Sequence, residues 1–220
     1  MQLFPSNATL DDKIQITIIR LLRLAAFLAL AYSIITLNYY HIANGSAALM
    51  LLFVPESIER KYQVKLPVEY SFAIVAFVFG SIVLGELRGF YTRYGWWDDL
   101  LHSTSGVLSG FAGFIALYWL KSNKKLTASN FVISFFAFTL AMTLAVFWEI
   151  FEFVADNTVG TGLQSGGLVD TMLDLIVASI GAGFSSILGY RFLNQPTGNG
   201  LFARLVHNFT EANNDNRNRK

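Results

Sequence analysis

Five stretches of this chain stay apolar for about twenty residues at a time: 14–37, 68–88, 100–120, 130–153 and 168–190. A helix needs roughly 20 such residues to cross a hydrocarbon core of about 30 Å. With no water there, every backbone N–H and C=O must be satisfied within the segment, which leaves helices as the form such runs take. A sixth stretch, 42–54, is short for a span and is bounded by Asn44-Gly45 and Pro55. It either crosses or re-enters. The expected fold is all-α, a polytopic transmembrane helical bundle of about six spans. Composition agrees, since 54% of the 220 residues are hydrophobic and 14% charged, too apolar for an ordinary soluble domain. A net charge of +1 argues against a nucleic-acid partner. The absence of cysteine excludes disulfides, thiolate metal sites and cysteine nucleophiles. The first twelve residues contain Pro5 and no basic residue ahead of Asp11 and Asp12, unlike a cleaved secretory signal.

Lysine and arginine mark cytoplasmic connections. Arg60, Lys61 and Lys65 follow 42–54, Lys121, Lys124 and Lys125 follow 100–120, and the tail holds Arg191, Arg204, Arg217, Arg219 and Lys220. The connection after 14–37 has none, nor does 154–167, and the connection between 68–88 and 100–120 has only Arg88 and Arg93. This alternation puts both termini in the cytoplasm of a multi-pass cell-membrane protein. If 42–54 is re-entrant, only the amino terminus changes side. Arg20 and Arg23 can snorkel from the first span toward one surface, and Thr9-x-x-Asp12 ahead of it reads as a capping box. Residues 1–192 form the transmembrane domain and 193–220 a cytoplasmic tail. In that tail Leu201, Phe202, Leu205, Val206 and Phe209 make one stripe. This is a short amphipathic helix, lying on the membrane face or simply exposed. Residues 211–220 are polar and expected to be disordered.

With this topology, eight of the 15 acidic residues gather at the non-cytoplasmic side. They are Glu86, Asp98, Asp99, Glu149, Glu152, Asp156, Asp170 and Asp174, joined by His102. Carboxylates in hydrocarbon are costly and are held there by a partner, an ion or a proton. Positions three or four apart share a helix face, so Asp98, Asp99 and His102 point together, as do Glu149 with Glu152 and Asp170 with Asp174. Each face continues into small residues: His102, Gly106, Gly110, Gly113; Ala141, Ala145, Glu149; Asp174, Ala178, Gly181, Ser185. Small residues at that spacing let membrane helices approach closely, so the acidic faces should point into the bundle.

Carboxylates and an imidazole so spaced are suitable ligands for a divalent metal, as in four-helix carboxylate proteins. An oxygen-rich set with one imidazole suits Zn, Mn, Fe or Mg alike. His102, Glu149, Glu152, Asp170 and Asp174 are the expected ligands, with Asp99 as ligand or general base. Asp98 competes with Asp99 for the inward direction. Glu86 either pairs with Arg88 or Arg93 or closes a shell around the site, and Asp156 begins the following loop. The glycine-rich loop 160–167 lacks the lysine and preceding strand of a phosphate loop; folded back, it would bring Gln164 to a ligand or leave it in a solvated turn. Tyr91, Tyr94, Trp96 and Trp97 fit an aromatic belt. Ser103 and Ser105 show no serine-triad pattern. Metal-assisted chemistry at the outer leaflet would act on lipid headgroups or lipid-linked envelope precursors. A structural carboxylate network and a proton or cation pathway remain alternatives, and whether the chain is an enzyme stays open.

Phe53-Val-Pro, Gly85-Glu-Leu-Arg-Gly-Phe-Tyr, Trp96-Trp-Asp-Asp-Leu-Leu-His, Trp148-Glu-Ile-Phe-Glu-Phe and Gly167-Leu-Val-Asp-Thr-Met-Leu-Asp-Leu resemble, in order and spacing, the YjdF-type bacterial and archaeal membrane proteins. The resemblance covers residues 42–190. It implies a multi-pass membrane protein, names no reaction, and places its polar motifs on Glu86, Asp99, His102, Glu149, Glu152, Asp170 and Asp174. A shorter pattern, Asp99-x-x-His102, Glu149-x-x-Glu152 and Asp170-x-x-x-Asp174, is similar to that of VanZ-like proteins associated with glycopeptide resistance. There Gln stands in place of Glu152 and Asn in place of Asp174, so this chain's version is more acidic and better suited to a cation.

Overall fold

A computed structural model describes residue 4 and residues 8–164, 166–196 and 200–218, with side chains through residue 214. The described residues are helical and contain no strand. Five helices are long and apolar enough to cross a membrane: α1 (Leu10–Ile35), α4 (Val68–Val78) with its continuation to Leu87, α6 (Trp97–Ser122), α7 (Asn130–Val159) and α8 (Leu168–Asn194). Between them lie α2 (Tyr39–Leu51), α3 (Val54–Tyr62) and α5 (Phe90–Arg93), and α9 (Leu201–Asn218) follows. The 13 residues of α2 give about 20 Å at 1.5 Å per residue, short of a hydrocarbon core. The sixth stretch is thus a helix too short to cross unaided. The chain divides into two compact units, Met1–Tyr94 with His207–Lys220, and Gly95–Val206.

In the first unit, the Asp12 amide donates to Thr9 Oγ1 at 3.2 Å and the Thr9 amide to Asp12 Oδ2 at 2.9 Å, so the capping box forms. Ile19 and Ala26 of α1 pack with Ala48 and Leu52 and with Val75, Val78 and Val83. Arg23 does not snorkel. It donates to the Leu52 carbonyl at 2.7 Å and to Glu56 at 2.8 Å, with its guanidinium 4.4 Å over the Phe53 ring. The physical reason is the break between α2 and α3: the chain turns at Leu52–Phe53, just ahead of Pro55 in the first turn of α3, the last carbonyls of α2 lack helical partners, and Arg23 supplies one. Residues Phe79–Leu87 continue α4 as a π-helix. At its end Glu86 accepts from the Tyr40 hydroxyl at 2.6 Å, a bond that, with burial and the adjacent charge, pushes the Tyr40 pKa up to about 12. On α9, Asn213 is hydrogen-bonded to both backbone groups of Lys65, at 2.7 and 2.9 Å. That clamp explains why α9 runs to Asn218 where a polar, disordered end is expected from composition. Residues 219–220 lie outside the described residues.

The second unit is a three-helix bundle. Gly106 stacks on Ala178 and Ala182, Gly110 on Ser185, and Gly189 on Phe114, a rising register that makes α6 and α8 parallel. Gly113 meets Ala137 and Leu140, and Asn130 at the start of α7 bonds Lys121 and Asn194, so α7 runs antiparallel to both. Glycine is required at the tightest crossings, because a methyl at Gly106 would strike the Ala178 carbonyl and one at Gly181 the Ser103 carbonyl. The rows expected to face inward are buried throughout: His102, Gly106, Gly110 and Gly113; Ala141, Ala145 and Glu149; Asp174, Ala178, Gly181 and Ser185. At the other end Phe111, Phe114 and Phe192 surround Phe202 with ring centroids 5.2–6.4 Å away. Of the apolar stripe of α9, Val206 and Phe209 are buried, Phe202 and Leu205 are half-buried, and Leu201 is exposed.

Candidate metal centre

Parallel α6 and α8, with α7 antiparallel and packed against both, place three helix segments at one end of the bundle. The first turns of α6 and α8 carry Asp98, Asp99 and Asp170, where the positive pole of the helix dipole favours carboxylates without any ligand. No such account covers α7. Glu149 and Glu152 lie in its carboxy-terminal half, far from the amino-terminal pole that favours carboxylates, and its last turn has no basic residue. Both are buried, as are His102 and Asp174. The lysines and arginines of this unit, Lys121, Lys124, Lys125, Arg191 and Arg204, all fall at or beyond the far ends of α6 and α8.

His102 is the hub. Its Nε2 lies 3.5 Å from Asp98 Oδ1 and 3.9 Å from Asp174 Oδ1, while Nδ1 lies 3.7 Å from Glu149 Oε1. These gaps exceed a hydrogen bond. Around one ion, bonds of about 2.0–2.2 Å set neighbouring donor atoms roughly 3–3.6 Å apart. One ligand atom each from Asp98, His102 and Asp174 falls within 4.8 Å of the others, so this group can hold a metal ion with a modest contraction. Both carboxyl oxygens of Glu149 are buried without a hydrogen-bond partner.

The other expected site residues divide clearly. Glu152, one turn from Glu149, acts electrostatically on Glu149, His102 and Asp98, and half-buried Asp170 acts on Glu149 and Asp174. Asp99 is half-buried beside the group of three and outside it. Glu86 is engaged by Tyr40 within the first unit. Asp156 organises the glycine-rich loop, accepting from the Thr161 hydroxyl and, at 2.8 Å each, from the Leu163 and Gln164 amides. The Gln164 side-chain Nε2 donates to Thr171 Oγ1 at 2.7 Å, and Thr171 neighbours Glu149 without closing a hydrogen bond to it. Thr171 is a neighbour of the site that motif reading missed. Its only signal is its place three residues before Asp174, on the same helix face.

The family model described as "Predicted membrane protein (DUF2238)" matches residues 18–195. An "Uncharacterized protein" of Thermotoga maritima is 31% identical over 140 residues, 63% of this chain and 71% of that relative. No solved structure matches. Neither match concerns VanZ-like proteins, so the agreement stops at the level of a membrane-protein family.

Proposed function

The chain belongs to the DUF2238 family of predicted membrane proteins, and from that premise we propose that its three-helix unit is a divalent-metal centre held at the non-cytoplasmic end of a membrane bundle. The observation that carries the reading is the convergence of Asp98, His102 and Asp174 from two helices onto one small volume, in a unit whose fixed cations all lie at its other end. One imidazole with carboxylates suits Zn, Mn, Fe or Mg. Glu152 and Asp170 are at hand to complete the set. Such an ion would polarise a phosphoryl or carbonyl group or acidify bound water. At the non-cytoplasmic end of the bundle the substrates would be lipid headgroups and lipid-linked envelope precursors, with half-buried Asp99 as proton acceptor.

The test is elemental analysis of detergent-purified protein after incubation with each of the four metals. About one or more equivalents of one metal, lost in a folded Asp174→Asn variant, would support the centre. No retention of any metal by the wild type would remove it. A second reading, passage of a cation or proton, draws on the Ser134 and Ser185 hydroxyls, buried without partners deeper in the same unit. It expects proton or cation flux in proteoliposomes that Asp174→Asn abolishes; equal flux in the variant would rule out this route.

A further inference from the structure

We infer that Glu149 is not a ligand of this centre but its positioning residue: it receives the His102 Nδ1–H, so that Nε2 is turned to the metal between Asp98 and Asp174. The inference rests on the metal reading above and goes further by committing the ring to one orientation and Glu149 to one role.

The two nitrogens of an imidazole point in diverging directions. Asp98 and Asp174 both face Nε2, at 3.5 and 3.9 Å, while Glu149 faces Nδ1. One ion bound to Nε2 with those aspartates lies on the side of the ring away from Glu149. Glu149 is 5% exposed, and neither of its oxygens has a hydrogen-bond partner. A carboxylate so buried costs free energy until it accepts a hydrogen bond. One donor facing it is the His102 ring, 3.7 Å away, and a ring swing of under about 1 Å brings that gap into hydrogen-bond range. Metal on Nε2 leaves the proton on Nδ1, and ligating histidines commonly donate that N–H to a carboxylate, which fixes the tautomer and raises ligand basicity.

A further link supports the assignment. Thr171 Oγ1 is an acceptor for Gln164, which leaves its own proton free to reach the neighbouring Glu149. The loop residue Gln164, Thr171, Glu149 and His102 then form one relay ending at the metal. Glu152, a turn away, is left for the ligand set.

The experiment uses zinc and full-length protein purified without a histidine tag, in a His41→Gln/His207→Gln background. The chain has three histidines, so His102 is then the single imidazole. Nitrogen-15 spectra of labelled histidine report which ring nitrogen binds zinc, and titration reports affinity. We expect Nε2 bound and Nδ1 protonated. Glu149→Gln should weaken zinc binding about 10–100-fold while leaving the stoichiometry at saturation unchanged, and Glu149→Asp should restore part of the loss. Zinc on Nδ1, or an unaltered affinity in Glu149→Gln, would overturn the inference while leaving the metal centre standing. Wild-type protein that takes up no zinc would remove both. The wild-type spectrum decides the orientation even if Glu149→Gln fails to fold.

Discussion

A methyl group at residue 181 has nowhere to go: it would meet the backbone carbonyl of Ser103, which cannot swing aside as a side chain can. Gly181→Ala should therefore destabilise the bundle by about 1–3 kcal/mol, read as a shift in unfolding in mixed micelles. Gly183, two residues on, has nothing within 4 Å of the same added atom. Gly183→Ala should be neutral or slightly stabilising, since alanine is the better helix former. Asp98 and Asp99 pose the corresponding question for the site. Both precede His102 at helical spacing, so sequence leaves them equivalent; the difference comes from α8, whose Asp174 shares the His102 Nε2 face with Asp98. Asp98→Asn should lower metal retention at least tenfold and Asp99→Asn should leave it unchanged, as measured by elemental analysis after gel filtration. Equal losses would place Asp99 among the ligands.

Among the elements, the long helices and their inward rows were legible because hydrocarbon imposes one rule on every residue of a span: small or polar groups go inside. The row from His102 to Gly113 and the row from Asp174 to Ser185 are buried, as that rule requires. Where the chain leaves regular helix, local rules cease to decide. Arg23 follows a free carbonyl created 29 residues away, and no window of sequence contains both. The same holds for Asn213, whose partner Lys65 lies 148 residues earlier. Replacing that side chain leaves a backbone N–H and C=O without their partner. Asn213→Leu should cost about 1–3 kcal/mol and speed hydrogen exchange across residues 207–218. Unchanged exchange would show that packing of Val206 and Phe209 alone holds α9.

For the molecule as a whole, the proposal that the basic connections lie in the cytoplasm is testable through the bundle geometry. Lys124 follows α6 and Thr161 follows α7, at opposite ends of an antiparallel pair. Because the chain has no cysteine, single replacements give clean labels. In intact cells Thr161→Cys should react with a membrane-impermeant maleimide and Lys124→Cys should not; the reverse pattern would turn the proposed centre to face the cytoplasm. The close glycine contacts between α6 and α8 have a bearing on genetics. In a random-mutagenesis screen scored by phenotype alone, Gly106 and Gly181 will gather inactivating alleles as densely as Asp98 or Asp174, though neither glycine has a donor atom to offer. Such alleles should lower the amount of protein in the membrane, whereas conservative changes at the aspartates should not, so a count of protein per cell will separate the two classes.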